Sequence, residues 1–181
     1  MMIQKTLHPK NKNFVLIKDN VFTKKECDSL IYQHNQNLQS AEKEGMNYDF
    51  SDLNYFEYMQ RLNLITKEYE NIYNEISKTI SIWKLESLRF KHFKPGKGFS
   101  EWHSEHCYTF PYRVLSLQIY LSEHNCGTEF YNKDVIKSEI GRVALFPAYF
   151  THTHRGQVCP ENKDRYLITG YISFVEKGKY E

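Results

Sequence analysis

Two short segments of the sequence contain side chains that could bind a metal ion. His103 and Glu105 lie two residues apart on a probable strand, and because alternate strand residues project from the same face, both could reach one ion. His152 and His154 follow an aromatic strand further along the chain. Either of these histidines would complete a set of two imidazoles and one carboxylate, which leaves coordination positions open on non-haem Fe(II).

Each segment also has a simpler interpretation. A His-x-Glu triplet is frequent by chance, so residues 103–105 could be a solvated strand end. His152 and His154 could form a hydrogen-bonded turn, or could bind zinc as a pair of their own. The metal hypothesis therefore depends on whether the two segments meet in the folded chain.

A third segment opens a strand with an arginine. The planar guanidinium of Arg165 matches a carboxylate through two parallel hydrogen bonds, so on an inward face it could hold the far end of a dicarboxylic acid. Leu167, Thr169 and Tyr171 alternate along the same strand and share that face. An arginine at the start of a strand is more often a surface charge, so this role needs support from other residues.

The first half of the chain is predicted to be mainly helical. Residues 14–17 form a short apolar strand, and Thr23 with Glu26 makes a capping box at the start of a helix. Asp52 is a predicted N-cap for a second helix, in which apolar residues recur at three-and-four spacing: Leu62, Ile65, Tyr69, Ile72, Ile76 and Ile80. Residues 38–50 are polar and irregular, and are interpreted as a surface loop or a lid over a neighbouring site.

Beyond Trp83, apolar residues recur at every second position instead of every third or fourth, which is the spacing of a β-strand. Turn residues separate strands predicted at 99–107, 113–121, 127–131, 141–146 and 165–174. Ser116, Gln118 and Tyr120 alternate with apolar residues, so this polar set either lines a cavity or faces solvent. Helices followed by strands predict an α+β protein that is mainly β, with a jelly-roll barrel and N-terminal helices packed on one sheet.

Length and charge limit the classes of function. The 181 residues are the size of one domain, predicted to span 1–181 with a helical part at 14–82 and a β core at 84–175. The 24 basic and 22 acidic residues are interspersed, which argues against a nucleic-acid partner. No apolar run is long enough for a signal peptide or a membrane span, so a soluble cytoplasmic protein is expected.

The four cysteines are predicted to be free thiols. They are widely spaced and contain no Cys-x-x-Cys pair, so the sequence suggests neither a zinc knuckle nor a small disulfide framework. Their positions are Cys27, Cys107, Cys126 and Cys159.

Taken together, these segments resemble the prolyl-4-hydroxylase-like branch of the 2-oxoglutarate and Fe(II)-dependent oxygenases, including short versions found in bacteria and phages. The resemblance covers residues 14–174. Its motifs occur in the order that the family shows: KPG at 94–96, WHSE at 102–105, YL at 120–121, GTEF at 127–130, HRG at 154–156 and RY at 165–166. Each motif is weak alone, and their order and spacing are what make the resemblance specific.

The resemblance implies a double-stranded β-helix and a role for each matching residue. His103, Glu105 and His154 match the metal ligands. His154 is preferred to the alternative distal ligand His152 because its separations from Pro147 and Arg165 are closer to those in related hydroxylases. Arg165 and Tyr120 match the residues that hold the C5 carboxylate of 2-oxoglutarate. Glu105 stands where aspartate is commoner, and its extra methylene could shift the metal.

By the same resemblance, the cofactors are Fe(II), 2-oxoglutarate and O2, and the reaction hydroxylates a substrate while releasing succinate and CO2. The leading substrate class is a prolyl residue in a peptide or protein, and a free amino acid or small metabolite is the alternative. Two hypotheses from other classes are a zinc-binding protein and a non-catalytic binding module on the same scaffold. No nucleic-acid or membrane partner is implied.

Residues around the motifs could contact the substrate, although aromatic side chains more commonly fill the ends of a barrel. His92 and Lys94 precede the first metal motif, where relatives place substrate or co-substrate contacts, and a solvated charge explains them equally well. The aromatic residues that flank the metal motifs are Trp102, Tyr108, Phe110, Tyr112, Tyr149 and Phe150.

Overall fold

The computed structural model describes residues 13–43, 46–53, 56–74 and 83–175. Antiparallel strands contain more than twice as many residues as the two α-helices in this part of the chain, so the predicted mainly β, α+β class is confirmed. In chain order the elements are β1 (Leu16–Lys18), α1 (Lys24–His34), β2 (Gln39–Lys43), β3 (Met46–Leu53), α2 (Phe56–Ile72), β4 (Trp83–Phe93), β5 (Phe99–His103), β6 (Arg113–Tyr120), β7 (Gly127–Phe130), β8 (Val135–Lys137), β9 (Val143–Pro147), a 3₁₀ turn (Phe150–His152), β10 (His154–Gly156) and β11 (Arg165–Phe174).

The strands pair in an order far from their order in the chain. Hydrogen-bonded neighbours follow β1-β9-β6-β11-β4-β3-β5-β10-β7-β8, and β2 pairs with β3. Strands β3 and β5 are paired at one position only, Met46 opposite Phe99. The strands therefore fall into two well-paired groups, one that runs from β1 to β3 in this order and one that runs from β5 to β8. Interleaving of sequence-distant antiparallel strands is the arrangement of a jelly roll. It brings the end of β5 beside β10, which is where both candidate metal segments lie.

Strand β6 lies inside the protein on both of its faces. All eight of its residues are buried, and Leu115, Leu117 and Ile119 belong to the main apolar cluster. Gln118 and Tyr120, on the opposite face, are buried as well. The alternative that the polar set of this strand faces solvent is therefore wrong, and these side chains line an interior space.

Helix α1 begins with the capping box that the sequence predicts. The Thr23 hydroxyl accepts a hydrogen bond from the Glu26 backbone N–H, and the Glu26 carboxylate accepts one from the Thr23 backbone N–H. Cys27 and Leu30 turn inward and join the apolar cluster that also contains Phe90 of β4 and Leu117 of β6. The cap therefore sets where a helix of the core begins.

We expect Thr23→Ala to lower the free energy of unfolding by about 1 kcal/mol, because the Glu26 backbone N–H at the start of α1 loses its acceptor, the Thr23 hydroxyl. Urea unfolding followed by circular dichroism measures this change. The matched control is Lys25→Ala, which alters an exposed side chain in the same turn. Equal stability of the two variants would show that the capping box contributes nothing.

Helix α2 buries the face that its apolar spacing predicts. Leu62, Ile65 and Tyr69 are buried in the main cluster. At the end of the helix the pattern shifts by one residue, since Ile72 is 46% exposed and Tyr73 is buried in its place. Two further predicted positions lie outside the described residues, Ile76 and Ile80. Among the described residues no helix combines the length and the apolar character needed to cross a membrane.

The prediction of an irregular loop or lid at residues 38–50 is wrong. This segment forms the hairpin of β2 and β3, and β3 pairs with β4 from Asp49 opposite His92 to Leu53 opposite Leu88. Asp52 is therefore a strand residue that pairs with Arg89, and α2 begins later, at Phe56. Local polarity favoured a loop, and pairing with a distant strand overrode it.

The prediction that all four cysteines are free thiols is also wrong. Cys126 and Cys159 form a disulfide across 33 residues, with Cα atoms 5.2 Å apart. Cys27 is free and buried, which raises the pKa of its thiol to about 11, and Cys107 is free and exposed. Sequence spacing could not reveal the pair, because the loops before β7 and before β11 meet only in the fold.

Candidate metal centre

Three candidate ligands meet where β5 and β10 lie side by side. His103 is the last residue of β5, and His154, the first residue of β10, lies directly opposite it in the antiparallel register. The centroids of the two imidazole rings are 4.4 Å apart. Glu105 lies beyond the end of β5, in a bend, so the prediction that 99–107 forms one strand is wrong over its last four residues. The bend still brings the Glu105 carboxylate to both imidazoles.

One ligand atom of each of the three residues faces the ligand atoms of the other two. Glu105 Oε1 lies 3.5 Å from His103 Nε2 and 4.0 Å from His154 Nε2, and the three ligand atoms all lie within 4.8 Å of one another. The Nδ1–H groups of the two histidines donate to the carbonyl oxygens of Glu101 and His152, over 2.9 and 3.0 Å. Because a carbonyl only accepts, each imidazole in its neutral form has its Nε2 lone pair free for a metal.

The pKa values of Glu105 and His154 favour binding of a cation by these residues. Burial raises the pKa of Glu105, but the hydrogen bond and charge that His103 supplies when it is protonated, together with the charge of Lys91, outweigh it and bring that pKa to about 2. Burial and the neighbouring His103 lower the pKa of His154 to about 4. At neutral pH the acid is therefore ionised and His154 is neutral, which are the protonation states that metal binding requires.

His152 lies outside this group. It ends the 3₁₀ turn before β10, and its Nε2 is 2.7 Å from the carbonyl oxygen of Asn13. Burial lowers the pKa of this imidazole, so it is neutral and donates to that carbonyl. The fold thus brings His154, and not His152, to His103 and Glu105. This donor set fits a divalent metal with open positions better than a closed zinc site, since three protein ligands converge within the described residues.

Arg165 lies in the same inner recess as the three ligands. The inner recess is the narrow space at the barrel centre lined by residues that include His103, Glu105, Tyr120, His154 and Arg165. Arg165 is 3% exposed and stacks on the Phe93 ring, with its guanidinium carbon 4.6 Å from the ring centroid. Gly156 makes room for it, since an added Cβ there would lie 3.3 Å from Arg165 Nη2.

The Arg165 charge has no acidic partner among the described residues. Its Nη1 donates a weak hydrogen bond to Cys126 Sγ over 3.5 Å, and its Nε has no partner. Burial lowers the pKa of this guanidinium to about 10, so it remains a cation at neutral pH. A buried cation without a counter-ion is costly, and a carboxylate entering the recess would supply one.

Tyr120 contributes a hydroxyl to the inner recess. It donates to Gln118 Oε1 over 2.7 Å and lies 2.8 Å from Thr128 Oγ1, and Thr128 also contacts Gln118. Burial raises the Tyr120 pKa to about 12, so the phenol stays protonated. The sequence predicted Tyr120 but missed Thr128, Gln118 as a functional residue, and Lys91, which lines the recess as well. Gln118 could have been found from the sequence, because it lies two residues before Tyr120 on β6 and therefore projects from the same face.

A larger outer cavity adjoins the inner recess. Its volume is about 430 Å³, and it shares Lys91, Phe99, His103 and Glu105 with the inner recess. Arg113 forms part of its wall between the rings of Phe110 and Tyr171, with its guanidinium carbon 3.6 and 3.5 Å from their centroids. Two of the three candidate ligands, His103 and Glu105, therefore lie between a small inner space and a larger outer one.

Most residues predicted to contact the substrate lie elsewhere. Of the six flanking aromatic residues only Phe110 lines the outer cavity, while Tyr108 is fully exposed and Phe150 is 80% exposed. His92 is neither a solvated charge nor a cavity residue, since it is buried and bonds to Asp164 at 2.8 Å. Lys94 is exposed. The cavity instead contains Lys91, on the opposite face of β4 from His92.

Comparison with solved structures identifies the fold. No family model matches the sequence, and no curated protein matches it. The viral collagen prolyl hydroxylase of Paramecium bursaria Chlorella virus 1, solved with 2-oxoglutarate, is similar at a TM-score of 0.69 and 20% identity over 91% of this chain and 98% of that one. A Pseudomonas putida prolyl-4-hydroxylase is similar at 0.68 and 12% identity, over 91% and 95% of the two chains.

A third similar structure contains a peptide. It is a Trichoplax adhaerens prolyl hydroxylase in complex with a fragment of the hypoxia inducible factor oxygen degradation domain, with a TM-score of 0.62 and 14% identity over 91% of this chain and 86% of that chain. The predicted resemblance is thus confirmed at the level of the fold. This chain has the jelly-roll fold of the prolyl hydroxylases.

Proposed function

We propose that this protein is an Fe(II)- and 2-oxoglutarate-dependent oxygenase whose catalytic machinery lies in one domain. One observation carries the proposal: a buried arginine without an acidic partner among the described residues lines the same recess as two imidazoles and a carboxylate. A metal ion with open coordination positions would bind the two imidazoles and the carboxylate, and a small molecule bound to that metal could pair its distal carboxylate with the arginine. The similar fold of the prolyl hydroxylases supports the proposal.

His103, Glu105 and His154 would hold the iron. With iron, 2-oxoglutarate and O2 bound, the cofactors supply an oxidation that yields succinate, CO2 and a hydroxylated substrate. The protein keeps Glu105 ionised and His154 neutral, and the carbonyls of Glu101 and His152 hold both imidazoles in the required tautomer. The contact of Arg113 Nη1 with Glu105 Oε2, at 3.5 Å, orients the longer glutamate side chain so that Oε1 faces the two imidazoles.

Arg165 and Tyr120 would orient the co-substrate. The Arg165 guanidinium would pair with the C5 carboxylate of 2-oxoglutarate, and the Tyr120 hydroxyl would turn its one proton from Gln118 Oε1 to that carboxylate. Both side chains are buried, so the pair would form where water competes little and a charge-assisted hydrogen bond is strong. Thr128 would continue to hold the Tyr120 hydroxyl through the contact between their oxygen atoms.

A prolyl residue in a peptide or protein is the substrate class that we propose. The outer cavity opens beside the candidate ligands and has aromatic walls at Tyr48, Phe110 and Tyr171, which suit a pyrrolidine ring. The peptide-bound Trichoplax hydroxylase supports this class. The alternative is a small anionic metabolite or free amino acid, which the Arg89, Lys91 and Arg113 side chains in the same cavity favour.

Turnover and binding measurements test the function together. We expect the purified protein with Fe(II), ascorbate and O2 to convert 2-oxoglutarate to succinate, faster when a proline-containing peptide is present. We expect anaerobic addition of 2-oxoglutarate to the Fe(II) protein to produce a visible charge-transfer band. A folded, iron-loaded protein that neither binds nor consumes 2-oxoglutarate would contradict the proposal. Stimulation by amino acids and not by peptides would select the alternative substrate class.

We expect Thr128→Val to weaken 2-oxoglutarate binding about 2- to 10-fold, which corresponds to a single neutral hydrogen bond of 0.5 to 1.5 kcal/mol. The shape of the side chain is kept, but the Tyr120 hydroxyl loses one of its two partners. Titration calorimetry with Mn(II) in place of iron measures the affinity. Thr153→Val is the control, because Thr153 bonds to Phe150 outside the recess. Equal affinity of Thr128→Val and the unmodified protein would exclude a positioning role for Thr128.

A further inference from the structure

A second cluster of metal-ligating side chains lies outside the inner recess, where two loops meet. His124 and Cys126 belong to the loop between β6 and β7, and Cys159 and Glu161 belong to the loop between β10 and β11. The ligand atoms of His124, Cys126 and Cys159 all lie within 4.8 Å of one another. Glu161 Oε2 lies 3.6 Å from His124 Nδ1. None of these four residues lines the inner recess.

His124 is held as a metal-binding histidine would be. Its side chain is completely buried, and its Nε2 lies 3.1 Å from the carbonyl oxygen of Asp164. Because that carbonyl only accepts, Nε2 carries the proton and the lone pair of the neutral ring is on Nδ1. Burial lowers the pKa of this imidazole, which favours the neutral form. Nδ1 has no hydrogen-bond partner, and it points at Glu161.

Glu161 presents the other unsatisfied acceptor. Its Oε1 accepts a hydrogen bond from the Asn125 backbone N–H over 2.6 Å, which lowers the pKa of the carboxyl group. Its Oε2 is buried without a hydrogen-bond partner and faces His124 Nδ1. Two acceptors that face each other with no donor between them are an unfavourable arrangement, and a cation between them would remove the conflict.

The sulfur atoms of Cys126 and Cys159 become two further metal ligands once their disulfide is reduced. A dithiol reductant transfers two electrons and two protons to the Cys126–Cys159 disulfide, which leaves two thiols and an oxidised dithiol. A metal ion that binds them displaces one proton from each thiol. Arg165 Nη1, 3.5 Å from Cys126 Sγ, would stabilise the resulting thiolate. Two thiolates, one imidazole and one carboxylate are a closed four-ligand set of the kind that zinc prefers.

We propose that in the reduced chain His124, Cys126, Cys159 and Glu161 bind one Zn²⁺ ion as a structural site. The ion would join the β6–β7 loop to the loop before β11 in the place of the disulfide. Through the bond from His124 to Asp164 and the contact from Cys126 to Arg165, it would also fix the start of β11. The site is separate from the iron site, which contains no sulfur.

Cobalt substitution tests this site, because only thiolate ligands give an intense near-ultraviolet charge-transfer band with Co²⁺. The full-length protein is reduced with a dithiol, freed of reductant under nitrogen and titrated with Co²⁺. We expect the band to saturate at one ion per chain, and to persist when the first site is removed by His103→Ala with Glu105→Ala. We expect competition with Zn²⁺ to abolish it.

Cysteine variants identify the ligands. We expect Cys159→Ser to remove most of the band and to weaken Zn²⁺ binding by more than the roughly 100-fold that loss of an outer-shell partner can cost. Cys107→Ser, at an exposed free cysteine, is the matched control and should keep the band. Absence of the band in the reduced, folded wild-type protein would overturn the proposal even if every variant failed to fold. A full band in Cys159→Ser would overturn it as well.

Discussion

His154→Ala is expected to abolish iron-dependent turnover, while His152→Ala leaves it nearly unchanged. Loss of an outer-shell partner already costs roughly 10- to 100-fold in metal affinity, so loss of a direct ligand should cost 100-fold or more. The two histidines are two residues apart, yet only His154 Nε2 faces Glu105, while His152 Nε2 bonds to the Asn13 carbonyl. Iron content after desalting and the rate of succinate formation measure the difference.

His152→Ala is the matched control for that comparison. It removes an imidazole from the same segment and loses a hydrogen bond to the chain near residue 13, but it leaves the three converging atoms in place. Circular dichroism of both variants establishes that each is folded. The opposite result, with iron kept by His154→Ala and lost by His152→Ala, would show that the assignment of ligands is wrong.

Arg165→Ala is expected to weaken 2-oxoglutarate binding by a factor of 10 to 100 or more. Hydrogen bonds to charged groups contribute about 1.5 to 3 kcal/mol each, and a guanidinium can make two of them to one carboxylate. Because the guanidinium has no acidic partner among the described residues, its removal breaks no internal ion pair. Titration of 2-oxoglutarate into the Mn(II)-loaded protein measures the affinity.

Two further variants separate recognition of the carboxylate from effects on folding. Arg165→Met keeps the volume of the side chain and removes the charge, and we expect the protein without ligand to be at least as stable as the wild type, since an unpaired buried cation is lost. Arg61→Ala removes an arginine that pairs with Glu26 on the helical side, and we expect it to bind 2-oxoglutarate normally. Unchanged affinity in Arg165→Met would exclude Arg165 as the co-substrate anchor.

Strong local patterns in the sequence predicted the elements well. The capping box of Thr23 and Glu26, the buried face of Leu62, Ile65 and Tyr69, and the alternation along β6 all occur in the structure. In each case the residues that decide the element are neighbours in sequence, so their spacing carries the information. The hairpin of β2 and β3 was missed because polar strand residues are stabilised by their partners across the sheet, and local sequence does not identify those partners.

In the candidate site too, residues in recognisable motifs were predicted, and residues whose role depends on distant parts of the chain were missed. The sequence identified His103, Glu105, His154, Tyr120 and Arg165 as candidates, and all five line one recess. Lys91 and Thr128 were missed because nothing in their local sequence distinguishes an inward-facing lysine or threonine from an exposed one. The cysteine pair was missed because two loops distant in the sequence form its surroundings.

By itself, then, the sequence determined the residue types able to bind a metal and a dicarboxylate, together with the helices and strands whose period is local. Only the folded chain showed which face of β4 lines the cavity and which cysteines meet, and it places His154, the histidine that the resemblance favoured, beside the Glu105 carboxylate. The physical reason is the register of antiparallel strands. A shift of one residue between β5 and β10 would turn His154 to the opposite face, and that register is set by pairing between distant parts of the chain.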